Sequence, residues 1–396
     1  MKRILFVDDE PRVLEGLQNL LRRYRRQWEM TFALGGPAAL ELLKARSFDV
    51  IVTDMRMPEI DGAALLTWVQ REHPRTVRIV LSGHTELQAA LQALPVAHQF
   101  LSKPCDAAEL ETVIERACKT QTLVDDPQIQ QLVGGINRLP ALPQVYQQLM
   151  QALAEDRTQA RDVAALLQQD MTLCAKLLQI VNSAFFRLAR RITKVEEAVS
   201  YLGFSMVRNL ALTVEVFDAK RQPPGFSFEA LQQHALRVAT LARQIIADPR
   251  RADDAFMAGM LHDIGKLVLA LRMPEKFRGA LALAHQRQQP SWRIEQETLG
   301  VSHAEVGAYL LGLWGLPYPI IEAVAFHHQP RAIPPYQFDA LAAVHVANCL
   351  VHESAPAAGL ALEPPDSDYL ATLGVLDRLD DWRTLANAQN TALDQE

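Results

Sequence analysis

The sequence predicts two domains of different class, an α/β domain of the doubly wound type followed by an all-helical domain. Over the first 120 residues, short apolar runs rich in β-branched and aromatic residues alternate with amphipathic stretches, which is typical of βαβ units around a buried parallel sheet. From residue 132 to about 353, apolar residues recur at i, i+3, i+4 and i+7, which indicates helices. A chain of 396 residues is also too long for one ordinary core.

The composition favours a folded protein of the cytoplasm. Hydrophobic residues make up 49% of the chain and its formal net charge is −6, so neither domain is a basic body made for nucleic acid. The four cysteines are scattered without a CxxC pair, as is usual for reduced thiols in the cytosol. No window reaches the ~18 apolar residues of a membrane span. The N-terminal MKRILFVDDE has too short an apolar run for a signal peptide.

In the α/β domain, four apolar runs predict strands and the stretches between them predict helices. The strand candidates are RILFVDD, FDVIVTDM, VRIVLSG and HQFLSK, and PRVLEGLQNLLRRYRR and DGAALLTWVQREH are helix candidates. The basic run at 21–28 is placed on the first of these helices as a solvated face or a docking surface. It contains Arg22, Arg23, Arg25 and Arg26.

The domain boundary is predicted where the strand and helix alternation stops. The stretch TQTLVDDPQIQQ loses the alternation, and Pro127 is expected to break any helix there. The stretch at 353–368 is typical of a linker or loop, and the last 28 residues are expected to form one more helix. The predicted segments are an α/β domain at 1–120, a linker at 121–131, a helical domain at 132–353, and a linker with a C-terminal helical extension at 354–396.

The strand ends of the α/β domain deliver the first candidate site. Doubly wound sheets place their chemistry at the carboxyl ends of the strands. Three carboxylates that converge there repel one another, so the pocket suits a hard divalent cation such as Mg²⁺. With Mg²⁺ in place, one carboxylate is free to act as a nucleophile toward phosphorus. The residues at these strand ends are Asp8, Asp9, Asp54, Ser82 and Lys103.

The motifs FVDDE, VTDMRMPEIDG, LSG and FLSKP resemble, in order and separation, the receiver domain of two-component response regulators. The resemblance covers essentially all of residues 1–120 and implies a flavodoxin-like fold in which Asp54 accepts phosphate from a histidine kinase. It also implies that Mg²⁺ binds Asp9, Asp54 and the Arg56 carbonyl, with Asp8 helping through water. It further implies that Lys103 contacts the phosphoryl group and that Ser82 and Phe100 form a switch pair.

The second candidate site begins with the adjacent His262 and Asp263 in MLHDIGKLVL, which the periodicity places on a helix. Their side chains would point about 100° apart on a helix, and both can still reach one ion between them. His234 lies 28 positions before His262, and a double histidine begins 65 positions after it. A histidine-rich pocket at the centre of a helical bundle is therefore expected. The full candidate set is His234, His262, Asp263, His303, His327, His328 and Asn348.

This region resembles the HD superfamily of metal phosphohydrolases, in which two branches compete. The cyclic dinucleotide phosphodiesterase branch, HD-GYP, requires a Gly-Tyr-Pro element after the double histidine and an aspartate on the last helix. Here QPRAIPPYQ follows the double histidine, and Asn348 takes the place of that aspartate. A neutral amide is a poor ligand for two adjacent cations, which counts against a two-metal centre.

The other branch, the HDOD output domain of bacterial signalling proteins, matches better. Six segments match in order over about 132–352, namely INRLPALPQVYQQLM, LLQQDMTLCAKLLQIVNSAFF, VEEAVSYLGFSMVRNLAL, AGMLHDIGKLVL, SHAEVGAYLLGLWGLP and AFHHQP. The resemblance implies a non-catalytic signalling or scaffold module. The histidines are then satisfied core or cap residues, or they bind a transition metal, and both alternatives stay open.

Two further stretches admit two interpretations each. The stretch VEEAVSYLGFSMVRNLALTV is either a helix-turn-helix, with only Arg208 and Asn209 to offer DNA, or a packed helical corner. The stretch NSAFF at 182–186 is either an interaction surface or a helix terminus with two buried aromatics.

The prediction for the whole chain is a response regulator that acts through protein contacts. Its expected partners are a histidine kinase and downstream signalling proteins, with a homodimer as a further option, and no DNA-binding domain and no membrane segment are expected. Phosphorylation would change the receiver surface, and the connector would pass that change to the helical domain or alter dimerisation. The rival is a phosphorylation-controlled HD phosphohydrolase acting on a nucleotide or cyclic dinucleotide, and a third option is a domain that binds a nucleotide without hydrolysing it.

Overall fold

The computed structural model describes most of the chain. The described residues are 1–83, 93–120, 124, 126–136, 139–155, 157–186, 188, 190–216, 226–334, 337–354 and 363–393.

The first domain is a five-stranded parallel sheet with flanking helices, and the predicted flavodoxin-like fold is confirmed. The strand order is β2-β1-β3-β4-β5, and every neighbouring pair is parallel. The strands are β1 Lys2–Asp8, β2 Trp28–Leu34, β3 Val50–Asp54, β4 Val77–Gly83 and β5 Gln99–Lys103. The described helices are α1 Pro11–Leu20, α2 Gly35–Ala45, α3 Gly62–Glu72 and α4 Ala107–Thr120.

The arginine run of this domain lies outside the first α-helix, which corrects the sequence prediction. Helix α1 ends at Leu20, Arg22–Tyr24 forms a 3₁₀ turn, and β2 begins at Trp28. The sequence analysis did not predict β2. This strand lies at the sheet edge and most of its residues are only partly buried, so it lacks the continuous apolar run of a central strand. Its seven paired positions with β1 define it instead.

The second domain is built almost entirely of helices, as predicted. A small parallel pair, β6 Pro140–Ala141 and β7 Glu215–Val216, is its sheet element in the described ranges. Among the described residues, no helix is both long enough and apolar enough to cross a bilayer. The helices before the His-Asp pair are α5 Pro127–Gly134, α6 Pro143–Ala152, α7 Ala160–Leu167, α8 Met171–Val181, α9 Val195–Leu202, α10 Phe204–Ala211, α11 Phe228–Ile245 and α12 Pro249–Leu261.

The remaining helices complete the second domain and the C-terminal extension. The described residues of the extension, 363–393, hold two α-helices and a 3₁₀-helix at Leu376–Arg378, where the sequence predicted one helix. These helices are α13 Ile264–Arg272, α14 Pro274–Arg287, α15 Ser291–Leu299, α16 His303–Leu313, α17 Tyr318–Phe326, α18 Ala340–Ser354, α19 Ser367–Thr372 and α20 Leu379–Leu393.

Three local predictions after the first domain are wrong. Pro127 begins α5 instead of breaking a helix, because proline is well suited to a first helical position and the Asp126 side chain caps the helix end. The long apolar stretch from 160 to 186 is divided at Asp170, whose carboxylate accepts the Leu173 N–H at 2.9 Å and caps α8. His262 and Asp263 lie in the turn between α12 and α13, outside any helix.

The helix-turn-helix candidate is a packed corner. Helices α9 and α10 meet at Gly203, which has a φ of +76°, a conformation that favours glycine. The Arg208 guanidinium donates a hydrogen bond to the Leu153 carbonyl, so this cation is used inside the domain. The DNA-reading interpretation therefore loses one of its two candidate side chains.

The two domains share one continuous core along the β5 edge of the sheet. Leu101 of β5 forms a single parallel bridge with Ala184 of the NSAFF stretch, so the helical domain contacts the sheet edge. The Gln179 amide donates to the His98 carbonyl at 3.1 Å, and the Gln99 amide donates to the Leu313 carbonyl at 3.2 Å. The NSAFF stretch is thus a contact surface toward the first domain.

Candidate functional site

The first site lies where the carboxyl ends of β1, β3 and β5 meet. The Lys103 ammonium lies 2.7 Å from the Asp8 carboxylate and forms an ion pair with Asp54. The Arg56 N–H donates to the other oxygen of Asp54 at 2.8 Å, and the Glu10 N–H donates to Asp8 at 3.0 Å. Two carboxylates and one ammonium therefore share a single small pocket.

Burial and hydrogen bonds together shift the pKa values of Asp54 and Lys103. Asp54 is only 6% exposed, and burial raises its pKa, while the bond to Lys103 opposes that effect. Burial lowers the pKa of Lys103, but its hydrogen bonds with Asp54 and Asp8 outweigh burial and raise it. Asp9 is exposed at the same edge. A set of carboxylate oxygens with one open side suits Mg²⁺, which keeps several waters when it binds protein.

A glycine keeps this pocket compact. A Cβ on Gly62 would lie 2.2 Å from the Asp54 carbonyl oxygen, so only glycine lets α3 begin so close to the end of β3. Asp61 caps α3 through a 2.7 Å hydrogen bond from the Ala64 N–H. The tight connection from β3 to α3 therefore explains why Asp61 and Gly62 end the MPEIDG motif.

The two predicted switch residues lie on β4 and β5. Ser82 is fully buried at the end of β4, where it faces Ser102 in register. Phe100 is 1% exposed and belongs to a buried cluster that also holds Ile180 and Phe185 of the helical domain. The ring of Phe100 is therefore packed in the region where the two domains meet.

The second site brings together every histidine-pocket residue that the sequence predicted. Five helices or helix junctions supply them: α11, the α12 to α13 turn, the start of α16, the end of α17, and α18. Asp263 is central, with its Oδ1 3.1 Å from His303 Nε2 and its Oδ2 3.3 Å from His262 Nε2. His234 Nε2 lies 3.0 Å from Asn348 Oδ1, and His328 Nε2 lies 3.1 Å from His303 Nε2.

Two of these histidines, His262 and His327, are held by one ring nitrogen and present the other. The Nδ1 of His262 lies 2.7 Å from the Gly259 carbonyl, and that of His327 lies 2.9 Å from the Val324 carbonyl. A carbonyl partner requires a proton on Nδ1, which leaves a lone pair on Nε2. Neither Nε2 forms a hydrogen bond with any described residue, although both are buried.

Two triads in this pocket have the spacing of metal ligands. One is His234, His262 and Asp263, and the other is His303, His327 and His328. Within each triad the potential ligand atoms lie within 4.8 Å of one another. Each triad contains one imidazole, His262 or His327, whose Nε2 lacks a donor among the described residues while its Nδ1 is anchored on a carbonyl, as in many transition-metal sites. The donor set therefore fits such a cation.

The pocket lowers the pKa of three imidazoles and raises that of a fourth. Burial alone would lower the pKa of His303, but the Glu295 carboxylate outweighs it and raises that pKa. Burial lowers the pKa of His234, His327 and His328 well below the ordinary value. Burial alone would raise the pKa of Asp263, but nearby positive and donor groups, including the Lys266 ammonium at 2.7 Å, hold it well below its usual range. A bound cation would share Asp263 with that ammonium.

Three groups that were not predicted from the sequence complete the pocket, namely Lys266, Glu295 and Glu363. The Glu295 carboxylate accepts the His303 N–H and lies 2.6 Å from His303 Nδ1. The Glu363 carboxylate lies 3.4 Å from His328 Nδ1. Lys266 carried a positional signal, three residues after Asp263 in HDIGK, whereas the two glutamates carried none because they lie on other elements.

Family models match both domains of the chain. The response regulator receiver domain model matches residues 4–115, and the HDOD domain model matches residues 139–330. The chain is therefore a response regulator receiver domain joined to an HDOD domain, as the sequence predicted.

Individual relatives match parts of the chain. An uncharacterized protein of Treponema pallidum (strain Nichols) is 29% identical over 210 residues, which is 52% of this chain and 41% of that protein. The response regulator protein PilR of Pseudomonas aeruginosa is 34% identical over 119 residues, 30% of this chain and 26% of that protein. The matches thus span less than half the length of these curated relatives.

A solved structure supports the fold of most of the chain. The crystal structure of a virulence factor from Campylobacter jejuni has a TM-score of 0.52 at 20% identity. The match covers 67% of this chain and 97% of that one. At this identity the likeness concerns the fold alone.

Proposed function

We propose that the chain is a phosphorylation-controlled regulator in which Asp54 accepts a phosphoryl group from a histidine kinase. The observation that carries this proposal is the Asp54 carboxylate, held between the Lys103 ammonium and the Arg56 N–H at the strand ends. Mg²⁺ would be held by Asp9, Asp54 and the Arg56 carbonyl, with Asp8 acting through water.

The residues around Asp54 supply what phosphoryl transfer requires. The metal, when bound, would neutralise charge on the transferring phosphoryl group. Asp54 attacks phosphorus through a carboxylate oxygen, and the phosphohistidine nitrogen leaves. The acyl phosphate carries roughly −1.5 to −2 charges at neutral pH. The Lys103 ammonium and the Ser82 hydroxyl are positioned to balance that charge, because both lie at the ends of strands next to the site.

Phosphorylation is tested with a small-molecule phosphodonor. Wild type incubated with acetyl phosphate and Mg²⁺ should shift on a phosphate-affinity gel, and Asp54→Asn should not shift. Asp61→Asn is the matched control, because it removes an exposed carboxylate nearby that caps α3. A shift of equal size in Asp54→Asn would contradict the assignment of the phosphoacceptor.

The signal is proposed to leave the receiver through β5. Rotation of Phe100 on phosphorylation would disturb the buried cluster that this ring shares with Ile180 and Phe185 of the HDOD domain. Loosening this contact would free the HDOD domain to bind a downstream signalling protein or a second copy of the chain. The HDOD domain thus acts through protein contacts.

The release of the β5 contact is tested by hydrogen exchange with and without beryllofluoride, which mimics the phosphoryl group. The amides of 179–186 should exchange faster in the wild type with beryllofluoride and remain unchanged in Asp54→Asn. Unchanged exchange in the wild type would refute release along this face.

A second candidate function is a metal-dependent HD phosphohydrolase, favoured by the buried Nε2 atoms of His262 and His327 that form no hydrogen bond with described residues. A transition metal, when bound there, would activate a water toward a phosphoester. His262 and Asp263 would hold it, together with His234 or with His303, His327 and His328. Asn348 counts against a second metal, because its amide is neutral.

Metal content decides between the two candidates. If the pocket is a catalytic metal centre, the wild type should retain Mn²⁺ or Fe²⁺ after dialysis, and a His262→Ala, Asp263→Ala variant should lose it. His285→Ala, which changes an exposed histidine outside the pocket, is the control. A folded wild type that takes up neither metal would refute the enzyme and leave output by protein contacts.

A further inference from the structure

An acidic segment after the HDOD domain lies across the entrance of the histidine pocket. This segment, residues 363–368, is called here the acidic strap, and it lies outside both family matches. The entrance is a cavity of about 640 Å³. His327 and His328 lie among its lining residues, together with Lys266, Trp292, Arg293 and Arg331.

Glu363 of the strap contacts one wall of this cavity. Its two carboxylate oxygens accept the Trp292 indole N–H at 3.0 and 3.2 Å. They also lie 3.4 Å from His328 Nδ1 and 4.0 Å from Arg293 Nη2. Burial raises the pKa of Glu363, so this contact is made against a desolvation cost.

Asp366 and Asp368 contact the opposite wall. Asp366 lies 2.7 Å from Arg331 Nε, and Asp368 lies 3.0 Å from Arg331 Nη1. The Asp366 backbone N–H also donates to His345 Nε2 at 3.0 Å. One guanidinium thus holds two carboxylates through two different N–H groups, which are strong charge-assisted donors that phosphate oxygens also accept.

The floor of the cavity points independently to a ligand. His327 lines the cavity, and its buried Nε2 forms no hydrogen bond in the described part of the chain. The same holds for the buried Nε2 of His262, whose ring centroid lies 5.0 Å from that of His327. The cations Lys266, Arg293 and Arg331 and the Trp292 N–H therefore line the entrance. The strap carboxylates already occupy the Trp292 and Arg331 donors. The carboxylates of the strap thus lie where the oxygens of a bound anionic ligand would lie.

We propose that the acidic strap is an internal substitute for a phosphate-bearing anion, and that this anion binds at Arg293, Arg331 and Trp292 when it displaces the strap. This inference goes beyond the cation-binding pocket proposed above, whose residues His327 and His328 also line this cavity. Its entrance contacts do not depend on that cation.

The strap is tested in the full chain with inorganic phosphate as the probe. The strap variant is Glu363→Gln, Asp366→Asn, Asp368→Asn, which keeps size and shape but removes the competing charge. We expect it to bind phosphate at least about tenfold more tightly than the wild type in calorimetric titration, and added Arg331→Gln to abolish the gain. This factor corresponds to about 1.4 kcal/mol.

The charge-matched control is Glu275→Gln, Asp377→Asn, Asp381→Asn, which changes three exposed carboxylates outside the cavity. Phosphate affinity in this control should equal that of the wild type. An equal gain in control and strap variant would overturn the proposal, because bulk charge would then explain it. If the strap variant unfolds in a thermal melt, Glu363→Gln alone replaces it and should show a smaller gain, and no gain would overturn the proposal.

The titrations are run with and without Mn²⁺, so that the two proposals fail separately. A gain in the strap variant without any Mn²⁺ uptake would retain the strap and refute the metal pocket. Mn²⁺ uptake without a gain in phosphate affinity would refute the strap alone.

Discussion

Gly312 controls how closely the HDOD domain approaches the receiver. It lies near the end of α16, the helix that begins with His303 in the histidine pocket, and it packs against Thr120 at the end of α4. We expect Gly312→Ala to weaken this contact between domains. The free energy of unfolding should fall although the substitution adds a better helix former.

The expected loss follows from distances around the new methyl group. A Cβ at position 312 would lie 2.5 Å from Thr120 Cγ2, 2.8 Å from its Oγ1 and 3.3 Å from its Cβ. Thr120 carries two heavy atoms over three staggered positions, so rotation clears only one of the two closest atoms. Overpacking of this kind costs about 3 kcal/mol, and the gain in helix propensity returns about 1 kcal/mol. The net loss is about 2 kcal/mol.

Urea unfolding followed by tryptophan fluorescence measures this loss. Gly279→Ala is the matched control, because Gly279 lies within α14 and its Cβ would meet no atom within 4 Å. That control should gain about 0.5–1 kcal/mol. Thr120→Ala should rescue Gly312→Ala, with a coupling free energy of about 2 kcal/mol in the double-mutant cycle. A gain in Gly312→Ala like that of the control, or no rescue, would refute the packing argument.

Three further predictions concern packing and pH. Gly265→Ala should destabilise the protein by about 3 kcal/mol, since its Cβ would lie 1.9 Å from the His303 carbonyl oxygen, and an unchanged thermal midpoint would contradict this. Burial lowers the pKa of Lys176 to about 7, so between about pH 7 and its ordinary value of 10.5 the folded state has released a proton that the unfolded chain keeps. Stability from this group therefore rises with pH over that window, and Lys176→Met should flatten the rise in urea titrations, whereas equal slopes would exclude the effect. Gln179→Leu should cost about 1 kcal/mol through its lost bond to the His98 carbonyl, and no change in unfolding midpoint would refute it.

The sequence determined the class of both domains and most site residues. Buried parallel strands give continuous apolar runs, and Asp54 and Lys103 follow such runs directly, so their shared edge is predictable from local pattern. The seven residues of the histidine pocket were also found in advance. Residue types that ligate metals stand out when they interrupt apolar helical stretches.

Tertiary structure alone decided which distant residues come into contact within the two domains. The edge strand β2 is defined by pairing with β1, and its half-buried pattern gives no clear local signal. Packing also decides that Nδ1, and not Nε2, of His262 and His327 meets a backbone carbonyl. The contact of Glu363 with His328 brings together positions that no periodicity relates. The local hydrophobic pattern of the sequence indicates which residues are buried. The contacts described above depend instead on which distant segments pack together in the folded core.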